Sequence, residues 1–452
     1  MMFIHYIILK IRQLSNNSRI IAYNVAASFL IKGVSMIISL ISTPLYISYF
    51  SDLKILGIWY TLLSILSWFL SFDLGIGNGL RNKLVEDLVK RDFVSARKTI
   101  SSAFSSIGVI TIILFIFGYL LINKINLYWL FNIDDNVVSY QTLYYSALCV
   151  FVSIMLSFFL SLTSGIFYAL QKSSFNNLIA LIISVLQLLF LFFFEFEDIN
   201  DALINISIAF IFISNLPKLI GLVVIFITEL RLCIPSIKFV DRNYVKATMN
   251  IGIMFFICQM LYLMIAHTNE SIITYFYGAS STSEYTFYYR LTTVFSMVLS
   301  LAFAPIWSVV TKAQTEGNFV WLYNLYKKFK YIAAGFLLMQ LLLVPFMPVL
   351  MDIWLGKDVI DVNYLTAVSF ACFGLAFVYT SMLSTLGNGL SMLKVQVISY
   401  LVAIILKVIL LALFADQFNW NFVVWVNTLI LIPYIFAQSI ILRNYFKAKL
   451  CS

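Results

Sequence analysis

Long apolar runs of about 20 residues or more, separated by short polar connections, dominate this chain. A helical run of that length matches the hydrocarbon thickness of a bilayer, whereas the strands of a membrane barrel are shorter and alternate in polarity. Apolar residues make up 62% of the chain and charged residues 11%, compared with about 45–50% and about 25% in soluble domains. Because a soluble fold cannot bury so much apolar surface, the sequence predicts an all-α polytopic membrane protein.

The hydropathy pattern predicts about twelve membrane-spanning helices. The predicted spans are 21–49, 53–76, 100–122, 140–169, 176–195, 202–228, 247–277, 284–311, 329–349, 363–386, 391–414 and 420–441. No connection between them is long enough to hold a soluble domain.

The charges of the connecting segments test this count. With the N-terminus placed in the cytoplasm, most of the 29 Lys and Arg residues fall in cytoplasmic segments, and the external segments hold only Lys54, Lys124 and Lys357. This asymmetry is the positive-inside pattern, and it predicts an even number of spans with both termini in the cytoplasm. Cytoplasmic loops facing anionic lipid account for the net charge of +9, so the charge does not predict nucleic-acid binding.

A weak internal repeat occurs at an offset of half the 452 residues. At that offset Asn24 matches Asn250 and Phe93 matches Phe319. A second match, at a slightly smaller offset, relates 169–172 to 389–392. With six predicted spans in each half, the matches predict two duplicated lobes. Because both halves begin in the cytoplasm, the repeats are expected to be parallel, related by an axis along the membrane normal.

These predictions divide the chain into three parts. Residues 1–228 form an N-terminal six-helix lobe, 229–246 a cytoplasmic linker, and 247–452 a C-terminal six-helix lobe. Within the first lobe, leucines four residues apart among charged residues predict one amphipathic helix over Gly79–Ile100, lying on the cytoplasmic membrane surface.

Charged residues inside the predicted spans are candidates for function, because a charge at mid-bilayer costs about 2.5–3.5 kcal/mol on insertion scales. Lys32 lies near the middle of the first span and shares a face with polar residues that include Ser35 and Ser39. Two interpretations remain open. The polar face lines a cavity, or it packs against another polar helix with Lys32 paired locally.

Two further cations are candidates for substrate binding. Arg290 shares a face of the eighth span with threonines and serines, and Lys218 follows Pro217 in the sixth span. The second span carries a comparable polar stripe. Lys407, in the eleventh span, is expected to extend its side chain outward to the membrane interface. A cavity lined by these cations is net positive and suits an anionic substrate such as a phosphate or diphosphate.

The seventh span holds Glu270 and, one turn away, His267. For Glu270 the alternatives are a structural ion pair with Arg290 and a role in ion coupling; for His267 they are a satisfied interior histidine and a proton relay. Five cysteines without a CxxC pair and only two histidines predict no metal site. No catalytic residue or cofactor is predicted.

Three local motifs resemble those of a known family. They are Ser71–Asn82 (SFDLGIGNGLRN), Phe303–Trp307 (FAPIW) and Gly387–Gly389 (GNG). With its length, twelve spans and basic interior, the chain resembles the bacterial lipid-linked oligosaccharide flippases. These are the Wzx-type O-antigen transporters of the multidrug/oligosaccharidyl-lipid/polysaccharide exporter superfamily.

The resemblance implies a function and a location. The substrate is expected to be an undecaprenyl-diphosphate-linked oligosaccharide, flipped to the periplasmic leaflet of the bacterial inner membrane by alternating access. Lys32 and Arg290 are expected to attract the diphosphate in a central cavity, while the polyprenyl chain stays among the membrane lipids. A polysaccharide polymerase and a chain-length regulator are the expected protein partners.

Two rival functions remain. A multidrug or cation antiporter of the same superfamily needs an embedded carboxylate, a role that Glu270 could fill, although the mid-membrane charge of the first span is the cation Lys32. A membrane-embedded polysaccharide-processing enzyme is the second rival. The short external loops argue against it, since a polymerase of that kind carries a large one.

Overall fold

The computed structural model contains only helices, turns and irregular segments in the part of the chain that it describes. That part is 16–50, 75–128, 138–266, 268–277, 279–355 and 360–451, with the short pieces 55–56, 58–59 and 62–63. The predicted all-α fold class is confirmed. Internal contacts divide the chain into two compact units, 22–253 and 254–452, the latter together with the described helical residues before Ala22.

The described part of the first unit consists mainly of long helices. They are α1 (Asn16–Phe50), α2 (Ile76–Val89), α3 (Phe93–Ile122), α4 (Tyr140–Leu160), α5 (Leu162–Ala169), α6 (Ser173–Phe193), α7 (Ile199–Thr228) and α8 (Arg242–Ala266), whose second half belongs to the next unit. Single 3-10 turns at Arg231–Cys233 and Ile237–Phe239 lie between α7 and α8. The predicted linker 229–246 is thus a pair of turns followed by the first residues of a helix.

The second unit begins within α8. Its other helices are α9 (Asn269–Tyr277), α10 (Ala279–Ser300), α11 (Phe303–Thr315), α12 (Phe319–Leu343), α13 (Met347–Leu355), α14 (Tyr364–Gly389), α15 (Leu393–Phe414) and α16 (Asn421–Cys451). One large hydrophobic core joins them, with Tyr288 and Phe370 stacked at a ring-centroid distance of 5.5 Å.

Nine helices in the described parts of the chain are long and apolar enough to cross a membrane. They correspond to the predicted spans three to seven and nine to twelve. The other predicted spans, 21–49, 53–76 and 284–311, include positions whose placement or side chain is not described. Within the seventh and eighth predicted spans the helix is interrupted, between α8 and α9 and between α10 and α11.

Four helix ends share one hydrogen-bond pattern. After α2, α5, α11 and α14 a residue with positive φ (Arg91, Gln171, Gly317 or Ser391) turns the chain into the next helix. At each turn the following backbone N–H donates to a carbonyl five residues earlier, as from Asp92 to Asp87 at 3.0 Å. This arrangement satisfies carbonyl groups that the helix end leaves unpaired.

These turns fall at the positions of the internal repeat. Arg91 and Gly317 are separated by half the chain length, and each precedes a helix-capping residue, Asp92 or Asn318, whose side chain accepts a backbone N–H. Gln171 and Ser391 lie within the matched segments 169–172 and 389–392. The sequence repeat therefore coincides with a repeated local structure.

The predicted single surface helix over Gly79–Ile100 is wrong. Helix α2 ends at Val89 and α3 starts at Phe93, because Arg91 adopts a left-handed conformation with φ 57. Leu80 and Leu84 are fully buried in a core formed with α3, α5 and α7. The apolar face packs on protein rather than on lipid.

Arg81, on the same helix, is also buried, and its guanidinium lies 4.7 Å from the ring centroid of Tyr168. Burial lowers the pKa of Arg81 to about 9, which leaves it charged at neutral pH, and the aromatic ring partly offsets the cost of burying that charge.

Glycines allow α2 to approach its neighbours backbone to backbone. A Cβ atom added to Gly79 would lie 2.5 Å from the carbonyl oxygen of Thr248 in α8. A Cβ atom on Gly165 of α5 would lie 2.6 Å from the carbonyl oxygen of Gly77. Small residues at such crossings are how membrane helices gain close packing. The glycine-rich motif that ends in Asn82 therefore has a packing role in this unit.

We expect Gly79→Ala to lower the free energy of unfolding of the purified protein by about 1–3 kcal/mol, and with it the unfolding temperature. The reason is that the obstructing Thr248 oxygen belongs to the backbone and cannot rotate away. Gly335→Ala in α12 is the matched control, since no atom lies within 4 Å of its added Cβ. Equal unfolding temperatures for the two variants in detergent would contradict this account of the contact.

Candidate functional site

The polar face of α1 is partly a helix–helix contact. Asn24 donates from Nδ2 to the carbonyl oxygen of Gln171 at 3.0 Å, and its Oδ1 accepts the backbone N–H of Ser174 at 3.2 Å. One turn further, Asn177 Nδ2 donates to Ser28 Oγ at 2.7 Å. These contacts join α1 to the start of α6, so this part of the stripe packs on a polar helix, as one of the two sequence interpretations predicted.

The central part of the stripe is different. Lys32 is exposed and forms no ion pair with any carboxylate that the structure describes. Ser35 is half-buried, and its hydroxyl donates to the carbonyl oxygen of Ile31 at 2.9 Å. The side chain of Ser39 lies outside the described residues. Further along, Gln187 of α6 donates to the hydroxyl of Tyr46, so packing resumes beyond the lysine.

Arg290 occupies a similar position on α10. Its side chain is exposed and makes no ion pair with a described carboxylate, so the pair with Glu270, one of the two alternatives from the sequence, is not observed. The neighbouring threonines satisfy their hydroxyls within the helix, with Thr286 donating to Thr282 and Thr293 to Tyr289, each at 2.7 Å. The guanidinium is thus the exposed charged group of this face.

Glu270 lies in the first turn of α9 and is exposed. His267, two residues before Asn269 in the sequence, is outside the described residues, as is Asp73 at the end of the second predicted span. Glu284 of α10 accepts a hydrogen bond from the Trp420 indole at 3.1 Å.

Lys218 belongs to a hydrogen-bond network between α7 and α4. It is half-buried, and its ammonium donates to Ser157 Oγ at 3.0 Å. The Ser157 hydroxyl donates in turn to Asn215 Oδ1 at 2.8 Å, and Asn215 Nδ2 donates to Ser153 Oγ at 3.1 Å. The contacts of Lys218 are therefore those of a helix-packing residue.

The position of Lys407 differs from the sequence prediction. It was expected to reach outward, but it is 3% exposed and its ammonium donates to three oxygen atoms around the interruption between α8 and α9. A sequence signal was available: Asn269 and Asn427 are amides in apolar spans, where a buried polar side chain needs a partner.

The first unit also contains an apolar groove of about 490 Å³ between α6 and α7. Its walls include Leu178, Ile182 and Val224, and the ion pair of Lys172 with Glu229 lies at one end. Among the described residues, no group of three or more His, Cys, Asp or Glu side chains is placed to hold a metal ion.

Reaction with a water-soluble, charged thiol reagent distinguishes an aqueous face from a lipid face for these cations. The five native cysteines (Cys149, Cys233, Cys258, Cys372 and Cys451) are first replaced. We then expect Lys32→Cys and Arg290→Cys to react, because both side chains are exposed and a thiolate forms only in contact with water. Buried Lys407→Cys is expected to be slow.

Ile37→Cys is the matched control on α1. Ile37 is 58% exposed and lies about 140° around the helix from Lys32, on the face expected to contact lipid. If Lys32→Cys reacted no faster than Ile37→Cys, the cavity interpretation of Lys32 would be wrong.

Comparison with solved structures identifies the fold. An outward-facing multidrug resistance MATE family transporter of the MOP superfamily matches with a TM-score of 0.71 and 12% identity, over 98% of each chain. A mutant of the Vibrio cholerae MATE transporter VcmN matches with a TM-score of 0.72 and 12% identity, over 95% of this chain and 98% of that one. A MATE structure in the bent conformation matches with a TM-score of 0.73 and 12% identity, over 96% of each chain.

No family model matches the sequence, and no curated protein is significantly similar to it. The structural matches cover nearly the whole chain, and the fold they share has twelve membrane helices in two lobes. The chain is therefore a multi-pass membrane protein with the fold of the MATE transporters of the MOP superfamily.

Proposed function

We propose that this protein is a transporter, rather than an enzyme, that moves a diphosphate-linked oligosaccharide lipid to the periplasmic leaflet of a bacterial cytoplasmic membrane. The observation that carries the proposal is the pair of exposed cations, Lys32 in one unit and Arg290 in the other, that no described carboxylate neutralises. The likeness of the fold to known transporters supports transport as the activity.

The charge argument rests on what the other embedded cations do. Lys218 and Lys407 are satisfied by neutral oxygen atoms within their own units. Lys32 and Arg290 are exposed instead, and an exposed charge within membrane-spanning helices is costly unless water or an anionic ligand accompanies it. A diphosphate supplies several oxygen acceptors, and the planar guanidinium of Arg290 suits bidentate binding to phosphate.

The choice of a polyprenyl-linked oligosaccharide rests on the resemblance carried by the motifs around Gly75–Asn82, Phe303–Trp307 and Gly387–Gly389. The diphosphate is the part of such a lipid that the cations attract, and the apolar chain remains among membrane lipids. A polysaccharide polymerase and a chain-length regulator are the proposed partners, because they act on the unit after it has crossed the membrane.

A multidrug or cation antiporter is the second candidate, and the MATE fold fits it equally well. Exposed Glu270 favours this candidate, since a membrane-embedded carboxylate is what binds a cationic substrate or a coupling ion. The two candidates differ in the charge of the protein group that substrate binding requires. The flippase requires a cationic side chain, and the antiporter requires a carboxylate.

The proposal predicts that Lys32→Ala and Arg290→Ala each reduce the appearance of lipid-linked oligosaccharide in the periplasmic leaflet by roughly tenfold or more, since one charge-assisted hydrogen bond contributes about 1.5–3 kcal/mol. The measurement is leaflet-resolved detection of the lipid in a strain whose own gene is deleted and replaced by each variant. Lys394→Ala, which removes an exposed lysine at the start of α15, is the matched control and should transport normally.

Glu270→Gln separates the two candidates in the same strain. The flippase proposal expects oligosaccharide transport to persist in this variant, and it expects no change in resistance to cationic drugs. Normal transport in both cation variants, or loss of drug resistance with Glu270→Gln alone, would favour the antiporter.

A further inference from the structure

The interruption between α8 and α9 exposes backbone oxygen atoms inside a predicted membrane span. Helix α8 ends at Ala266 and α9 begins at Asn269. The last carbonyl groups of a helix have no donor within it, and in hydrocarbon no water is present to supply one. The carbonyl end of a helix also carries a partial negative charge. Such an interruption therefore attracts a donor or a cation.

In this chain the cation is the side chain of Lys407. Its Nζ lies 2.9 Å from the carbonyl oxygen of Ile265, 2.9 Å from Thr268 Oγ1 and 2.6 Å from Asn269 Oδ1. An ammonium group has three hydrogen atoms to donate, and three oxygen atoms accept them. All three acceptors are neutral, and no described carboxylate lies within ion-pair distance of the ammonium.

A second asparagine contacts this cluster through its amide nitrogen. Asn427 of α16 donates from Nδ2 to Asn269 Oδ1 at 2.8 Å, and its own Oδ1 has no hydrogen-bond partner among the described residues although Asn427 is only 1% exposed. At the other end of the Asn269 amide, Nδ2 donates to the Tyr285 hydroxyl at 3.2 Å. Hydrogen bonds with Asn427 and Tyr285 thus orient the Asn269 amide, whose oxygen accepts from the Lys407 ammonium.

We propose that this oxygen cluster is a monovalent-cation site that the protein fills with its own Lys407 ammonium. Backbone carbonyl, hydroxyl and amide oxygen atoms are the ligands that alkali cations take at interrupted membrane helices. Divalent cations prefer carboxylate ligands, which the described part of the cluster lacks. Because the oxygen atoms are already spaced around an ammonium group, ammonium and K⁺, which is close to it in size, fit better than the smaller Na⁺.

The proposal concerns the second unit alone and is independent of the substrate. The wild-type protein holds the helix interruption together without an added cation, because the ammonium is covalently attached. Removing the ammonium while keeping the oxygen atoms converts the cluster into an open site that a free cation stabilises by mass action.

The test measures the unfolding temperature of the purified protein in detergent, with chloride salts of ammonium, K⁺, Na⁺ and N-methyl-D-glucamine at equal ionic strength. Wild type should respond to the four salts alike. Lys407→Ala should unfold at a lower temperature in N-methyl-D-glucamine and recover in ammonium or K⁺, by several degrees at about 0.3 M salt. Na⁺ should be less effective.

Lys218→Ala is the matched control, since it removes a half-buried lysine that also donates to a neutral oxygen but lies in the first unit. It should show no cation preference. Adding Asn427→Ala to Lys407→Ala should weaken the recovery. An identical response of Lys407→Ala to all four salts, or a cation preference in Lys218→Ala as well, overturns the proposal.

A second variant keeps the test decisive if Lys407→Ala does not fold. Lys407→Ala combined with Asn269→Asp replaces an amide ligand by a carboxylate, so a bound K⁺ is paired with a negative ligand and the cluster is neutral, whereas it carries one positive charge in the wild type. The proposal expects this double variant to fold when prepared in K⁺ and to lose stability when K⁺ is exchanged for N-methyl-D-glucamine. Failure to recover folded protein in K⁺ counts against the site.

Discussion

In the hydrocarbon core of a bilayer no water is available to satisfy a backbone polar group or to solvate a charge, and the organisation of this protein follows from that constraint. Helices satisfy most of the backbone internally. Where a helix ends, a repeated turn supplies the missing donor, as when Lys172 N–H donates to the carbonyl oxygen of Phe167 at 2.8 Å. Where α8 is interrupted, the ammonium of Lys407 supplies it.

The same constraint separates the embedded cations into two kinds. Lys407 and Lys218 are held by neutral oxygen atoms inside their own units, so their charges are used in joining helices. Lys32 and Arg290 are exposed and unmatched by the carboxylates described, so their charges are available to a ligand. Burial and hydrogen-bond partners, rather than the presence of a charge in a span, distinguish a structural lysine from a candidate binding residue.

The sequence was sufficient for the fold class, because hydropathy reports the bilayer constraint directly. Its matched residues Phe93 and Phe319 also follow the same kind of turn. The sequence was not sufficient to predict which helices contact each other. The polar face of α1 was one pattern in sequence, yet Asn24 and Ser28 pack on α6 while Lys32 does not. Periodicity shows that residues share a face, but it does not show which neighbouring helix covers each part of that face. Similarly, nothing in the local sequence of α15 indicates that Lys407 reaches the interruption in a distant span.

The central claim, that unneutralised cations adapt this fold to an anionic lipid, is tested most directly by transport in proteoliposomes that contain only this protein. The measurement follows a fluorescent polyprenyl-diphosphate oligosaccharide from one leaflet to the other and compares it with uptake of a cationic dye by the same vesicles. We expect the diphosphate lipid to cross and the dye not to accumulate. Accumulation of the dye without movement of the lipid would contradict the claim.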